Sequence, residues 1–219
     1  MSTENERYIP ALGYHWLTSL YDPVVRLTTR ESAFKPALIA QADIQAGERI
    51  LDLACGTATL TILAKQAQPA AEIHGMDGDP NILKIAASKA QTEGLDLKLQ
   101  QGLADALPYP DGHFDRAMSS LFFHHLTRST KRAAFDQLYR VLKPGGELHI
   151  ADWGRATDPL MRMAFLGIQL LDGFTTTADN VRGLLPTLMA DAGFVEVCVT
   201  QNFSTVFGTM SLYRARKSA

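Results

Sequence analysis

The stretch RILDLACGTATLTILAK, residues 49–65, decides the fold. Ile50, Leu51 and Leu53 form a short apolar run of the kind that makes a buried strand, and Leu60, Leu63 and Ala64 then recur at helical spacing from Thr57 onward. Between them lies a turn with one glycine, Gly56, and an acid, Asp52, just before it. A strand–turn–helix of this kind holds a cofactor against a helix N-terminus. The single glycine and the acid restrict which one.

Outward from this stretch, strand-like and helix-like runs alternate. Strands are predicted over Arg49–Ala54, Glu72–Met76, Leu95–Gln100, His113–Ser119 and Glu147–Ala151. Helices are predicted over Thr57–Gln68, Pro80–Glu93 and Arg128–Val141. Asp79 reads as an N-cap with Pro80 at the first helical position, and Gly94 follows the helix end. Further on, LLPTLMADAGF (184–194) is a short helix started by Pro186 and stopped by Gly193. Two strands, Val195–Asn202 and Thr205–Arg214, are close enough to pair antiparallel.

Repeated β-α-β units imply an α/β fold: a doubly wound, mostly parallel, seven-stranded Rossmann-like sheet with an antiparallel C-terminal edge hairpin and an N-terminal helical cap. The 219 residues read as a single domain. Its expected parts are a cap (1–45), a cofactor-binding core (46–154), a substrate lid (155–178) and a C-terminal helix and hairpin (179–219). Ligands of such sheets bind beyond the carboxyl ends of the strands.

Composition narrows the function classes. A formal net charge of -2 with both signs scattered gives no basic stripe for nucleic acid. The two cysteines, Cys55 and Cys198, form no CxxC pair, which suits a reducing, cytoplasmic compartment. MSTENERYIP has acids and no apolar core, so it does not read as a secretory signal. PLMRMAFLGIQLLDGF (159–174) carries Arg162 and Gln169 and is too interrupted to span a bilayer. No GxSxG, HExxH or Walker sequence is present, and His and Cys do not recur at metal-ligand spacing, so no metal is expected.

A dinucleotide needs three glycines for the approach of its pyrophosphate, and Asp52 would repel phosphate. S-adenosylmethionine (SAM) has no phosphate, and its ammonium and sulfonium suit an acid at the strand end. Asp77, at the end of the second strand, suits the two ribose hydroxyls, since a carboxylate accepts from both; its other reading is a turn residue.

ILDLACGTATL (50–60), IHGMDGDPNIL (73–83), GLADALPYPDGHFDRAMSS (102–120) and RVLKPGGELHIADW (140–153) follow in order. On these four motifs the chain resembles a class I SAM-dependent methyltransferase, most similar to the small single-domain (type 11) enzymes related to the ubiquinone/menaquinone-biosynthesis C-methyltransferases. The resemblance implies that Asp52, Ala54, Gly56 and Thr57 line the methionine end of SAM and that Asp77 holds the ribose. It places Leu103 and Ala104 at the adenine, where the family usually has an acid before the alanine. The Ala104 N–H contact survives that departure, and Asp105 is the substitute acceptor from one residue on. Ala58 stands for a usual glycine, and Ser120 matches a cofactor-facing position.

For the acceptor side, SSLFFHHL (119–126) places His124 and His125 after the fourth strand, where an imidazole can act as base near neutral pH. The other reading is that one packs and the other caps a turn, since adjacent residues of regular structure do not both face one pocket. Asp152 and Trp153 are a second pair, the acid orienting a nucleophile and the ring flooring the pocket, or the acid only capping a loop. Tyr8, Tyr14, His15, Trp16 and Tyr21 make the N-terminal segment aromatic-rich; the resemblance puts Tyr21-Asp22 in the cover over the cofactor, an aromatic there can stack beside the sulfonium, and the other reading of Tyr14 and Trp16 is core packing of a helical cap. The apolar 159–174 stretch suggests an adaptable wall for a lipophilic small-molecule acceptor such as a quinone precursor, a lipid or an aromatic metabolite. A peripheral helix touching membrane and a buried helix fit the same letters.

The expected activity is methyl transfer from SAM, leaving S-adenosylhomocysteine. The rival from another class is a non-catalytic SAM or S-adenosylhomocysteine binder serving as a sensor or partner subunit. A nicotinamide oxidoreductase is third, opposed by the single-glycine turn.

Overall fold

The computed structural model describes residues 30–219. Seven helices and seven strands alternate: α1 (Glu31–Ala42), β1 (Arg49–Leu53), α2 (Thr59–Ala67), β2 (Glu72–Asp77), α3 (Pro80–Thr92), β3 (Lys98–Gln101), β4 (Phe114–Ser120), α4 (Arg128–Val141), β5 (Leu142–Trp153), α5 (Pro159–Asp172), α6 (Phe174–Arg182), α7 (Leu185–Asp191), β6 (Val195–Thr205) and β7 (Gly208–Arg216). The strands form one sheet in the order β3-β2-β1-β4-β5-β7-β6. β3, β2, β1, β4 and β5 pair in parallel, and β7 pairs antiparallel with both β5 and β6. This is the doubly wound sheet with an antiparallel edge hairpin that the sequence predicts.

Side-chain alternation along β1 sorts the two faces. Ile50 joins Phe34 and Leu38 of α1, Leu60 of α2 and Phe165 of α5 in one core. Leu51 and Leu53 join Phe135 and Leu138 of α4 and Leu188 of α7 in the other. Asp52 shares the parity of Ile50, so its carboxyl lies on the face covered by α1, α2 and α5, and it is fully buried there. The chain reverses direction of winding between β1 and β4, which makes their carboxyl ends the switch point where ligands of such sheets bind.

Several boundaries differ from the sequence reading. α2 begins at Thr59, not Thr57, because Ala58 takes a left-handed φ of 63° and ends the turn. β3 begins at Lys98, because the Leu95 N–H still bonds to Ala90 at the end of α3. β5 starts at Leu142, ahead of the predicted Glu147. β5 pairs with β4 at Leu142, loops out, and pairs again from Glu147. Glycine is required in that loop: a Cβ on Gly146 would lie 2.9 Å from the carbonyl oxygens of Asp115 and Lys143. The reversal between the last two strands falls at Thr205–Gly208, so Thr205 ends β6 and does not open β7.

Candidate active site

The turn after β1 is tied together by backbone donors. β1 ends at Leu53, Ala54 has φ 58°, and Gly56 has φ 55° with open space where a side chain would go. Left-handed conformations at non-glycine residues cost free energy and persist where the surroundings fix them. Here the Cys55 N–H bonds to the Met76 carbonyl at 2.9 Å, joining the turn to β2. The Gly56 N–H donates to Asp77 Oδ2 at 3.0 Å, and the Asp79 N–H donates to Asp77 Oδ1 at 3.0 Å. Each carboxylate oxygen keeps a second lone pair for a ligand hydroxyl. Burial raises the Asp77 pKa against the pull of these N–H groups. Asp79 caps α3 through the Asn81 N–H at 2.8 Å, as predicted.

Asp52 is the electrostatic oddity. Its Oδ2 accepts from the Thr61 hydroxyl of α2 at 2.6 Å, while its buried Oδ1 has no hydrogen-bond partner among the described residues. Burial pushes its pKa up to about 7, opposed by the Thr61 bond and by the charge of Lys35. A carboxyl so placed gains from a cation set against its free oxygen. Thr57 accepts from the Lys89 ammonium at 3.0 Å, which braces the turn from α3.

Leu103, Ala104 and Asp105 lie in a turn closed between Leu103 and Ala106, just past β3. The Gly102 N–H bonds to the Asp77 carbonyl at 3.1 Å, so this turn follows directly on Asp77. Ser120 closes β4 opposite Ala151. All the cofactor positions named from sequence therefore lie along one carboxyl edge, on β1, β2, β3, β4 and the turns after them. Burial, with the charges of Asp52 and Asp77, pushes the Cys55 thiol pKa up, which disfavours the thiolate.

On the acceptor side two expectations need correction. Asp152 does not orient a nucleophile directly, because it is fully buried and saturated. Its Oδ2 accepts the N–H groups of Phe122, Phe123 and His124, and its Oδ1 accepts from the Trp153 N–H and from His124 Nδ1, each at 2.7 Å. Burial alone would raise its pKa, but His124 and these donors hold it below the usual carboxylate range. Trp153 is 2% exposed, packed against Phe165, so it is core and not a pocket floor. The second correction concerns the histidines. Residues 123–125 form a 3₁₀ turn, not regular strand or helix, and both imidazoles converge, with ring centroids 4.0 Å apart.

They converge on Asp172, the last residue of α5. His124 Nε2 lies 3.5 Å and His125 Nδ1 3.8 Å from its carboxylate oxygens. Among the described residues this is a His–His–Asp group with metal-ligand spacing, although sequence spacing showed none. Asp172 was missed, yet it carried a signal: an acid at a helix C-terminus opposes the macrodipole. Lys131 of α4 was missed as well. It is fully buried and donates to the carbonyls of Leu126 and Thr176 and toward Asp179, clamping α4 to α6 beside the histidine turn.

α5 buries Phe165, Ile168 and Gln169 and exposes Leu160, Met163, Leu170 and Leu171. The helix is therefore buried on one face and exposed on the other. No helix among the described residues is long and apolar enough to cross a membrane. Tyr8, Tyr14, His15, Trp16, Tyr21 and Asp22 lie outside the described residues. A polar groove at the opposite, amino-terminal edge is occupied by its own ion pairs, Arg116 with Glu48 and Glu147, and Lys143 with Asp115.

The chain is similar to known proteins in sequence and fold. A family described as a methyltransferase domain matches residues 50–146. A demethylmenaquinone methyltransferase of Thermus thermophilus is 41% identical over 109 residues, covering 50% of this chain and 49% of that protein. A ubiquinone/menaquinone biosynthesis C-methyltransferase of Burkholderia cenocepacia is 31% identical over 163 residues, covering 73% of this chain and 66% of its own length. The chain thus spans about half of the first relative and about two thirds of the second. A SAM-dependent methyltransferase structure from Methanosarcina mazei superimposes with a TM-score of 0.66 at 20% identity, over 82% of this chain and 97% of that one, which supports the fold. With the glycine turn, the paired acids and the strand order in place, the chain belongs to the class I SAM-dependent methyltransferase family.

Proposed function

We propose that this protein transfers a methyl group from SAM to a small lipophilic acceptor carrying an acidic hydroxyl, of the quinone-precursor or aromatic-metabolite kind. The observation that carries the reading is the buried Asp52 carboxyl, with one oxygen unpartnered, beside a turn whose Gly56 N–H is fixed on Asp77. SAM, when bound, supplies an electrophilic methyl on a cationic sulfur. Asp52 meets the ammonium of its methionine end, with Ala54, Gly56 and Thr57 shaping the turn beneath it. Asp77 takes the ribose hydroxyls on its remaining lone pairs, and the Leu103–Asp105 turn offers the Ala104 N–H to the adenine. Ser120 faces the same cofactor from the end of β4.

The acceptor hydroxyl falls to the His124–His125–Asp172 group. Asp152 acts there only as a positioning residue: as an ionised acceptor it fixes the proton of His124 on Nδ1 and leaves Nε2 with a free lone pair. Burial holds His125 neutral, its pKa lowered to about 3. The exposed apolar side of α5 supplies the lipophilic wall, which favours an acceptor with a hydrocarbon tail. The relatives act on quinone precursors by their names, and that class heads the acceptor panel.

The test is turnover of methyl-labelled SAM with phenolic quinone precursors, short-chain and long-chain, against simple catechols and fatty acids. Label in a phenolic product, lost in His124→Ala while SAM affinity is kept, supports the reading. Tight SAM binding with no label transferred to any class would mean a sensor or partner subunit instead.

A further inference from the structure

We infer that His124, His125 and Asp172 form a binding site for one divalent first-row transition ion, such as zinc or ferrous iron, on the acceptor side of the site. The inference concerns ligands in the chain, and its role in the reaction rests on the methyl-transfer reading above.

Three observations converge. The first is spacing. His124 Nε2 and His125 Nδ1 stand 3.5 and 3.8 Å from the two oxygens of Asp172, and no hydrogen bond joins them. In a tetrahedral site with bonds of about 2.1 Å, neighbouring donor atoms lie about 3.4 Å apart. Both separations exceed a hydrogen bond and come near the spacing of a coordination shell, which the side chains would complete by closing on an ion. Ligand atoms from all three residues lie within 4.8 Å of one another.

The second is the outer shell. A metal-bound imidazole almost always donates its other N–H to a carboxylate, which fixes the tautomer and strengthens the ligand. His124 does so, through Nδ1 to Asp152 at 2.7 Å. Asp152 in turn is locked by the backbone N–H groups of Phe122, Phe123 and Trp153 and approached by Asn180 of α6. The carboxylate–histidine arrangement is thus built before any ligand arrives.

The third is His125 itself. Its imidazole is half-buried and makes no hydrogen bond among the described residues, so a ring nitrogen is open to an ion arriving from solvent. Two neutral imidazoles and one carboxylate are the donor set that suits zinc and ferrous iron over magnesium or calcium. Three protein ligands leave a coordination position free. An acceptor hydroxyl filling that position would lose its proton to solvent at neutral pH, since a metal-bound oxygen is far more acidic than a free one. The ion would then do what a histidine base does alone, and would select acceptors that present a hydroxyl.

The experiment uses untagged full-length protein stripped with chelator and dialysed against zinc, with metal counted per chain, and against cobalt(II), whose visible spectrum reports imidazole ligation. One equivalent of zinc per chain is expected, with affinity reduced about 100-fold or more in both His125→Ala and Asp172→Ala. Substoichiometric zinc, or equal zinc in wild type and both folded variants, would overturn the site. Should either variant fail to fold, histidine NMR signals of the wild type decide: cobalt must broaden His124 and His125 first, and first broadening of His74, His113 or His149 would overturn it. SAM binding on the stripped protein separates the two claims. SAM bound without zinc refutes the ion alone, whereas zinc bound without SAM refutes the methyl-transfer reading and leaves the ion site.

Discussion

The two halves of the carboxyl edge are built in different ways. In the cofactor half, Asp52, Gly56 and Asp77 are held by contacts between neighbouring motifs: Thr61 on the next helix, the Gly56 N–H, and the Asp79 N–H two positions on. In the acceptor half, the partners come from far apart in the chain. Asp152 ends β5, His124 follows β4, and Asp172 ends α5, and none of these approaches follows from local spacing. The first half is therefore a local device, and the second exists only when α5, α6 and the sheet have docked.

That contrast can be broken most forcefully at Asp152. Asp152→Ala would strand four backbone N–H groups and the His124 ring in the core. We expect a loss of about 3–5 kcal/mol in chemical denaturation, because removing one partner from a buried charged network leaves the others unpaired. A loss under about 1 kcal/mol would mean that this half is not organised around the carboxylate.

In the cofactor half the larger effect should fall on binding. Asp77→Ala should weaken SAM about 100-fold by calorimetry, as two charge-assisted hydrogen bonds to the ribose disappear. The fold should suffer less, because the turn retains the Cys55–Met76 backbone bond.

Asp52 sharpens the comparison through pH. Its pKa, raised from 3.8 to about 7 in the fold, means that the native state holds a proton that the unfolded chain has released. Stability of the ligand-free protein should therefore fall as pH rises from about 4 through about 7. A cation at its free oxygen reverses the preference, so SAM should bind more tightly at pH 7.5 than at pH 6, and Asp52→Asn should flatten that slope. A wild-type affinity that is flat over this range would remove the ammonium assignment.

The smallest effects belong to the open face of α5. Leu170→Ser and Leu171→Ser should change stability by under about 0.5 kcal/mol, since both side chains are exposed. They should raise the KM for long-chain acceptors and leave that for short-chain acceptors unchanged.

The same contrast explains what the sequence made legible. The sheet and the switch point follow from strand patterning, and the placement of Gly56 and Asp77 at the strand ends follows from local signals as well. The start of α2 was misplaced because Ala58 adopts a conformation usually given to glycine. The convergence of His124 and His125 was unreadable, because alternation rules apply to regular structure and these residues form a 3₁₀ turn. Asp172 and Lys131 were hidden for another reason. Their partners lie on other elements, and only their awkward placement hinted at a role: an acid at a helix C-terminus and a lysine in the buried stripe of α4.

The central claim is that Asp52, Gly56 and Asp77 form a SAM site. Calorimetric titration of the full chain with SAM, S-adenosylhomocysteine and NADH tests it most directly. We predict micromolar binding of both adenosyl sulfur compounds, about 100-fold weaker in Asp77→Ala, with no heat from NADH. NADH binding at the same site, or SAM binding indifferent to Asp77, would contradict it.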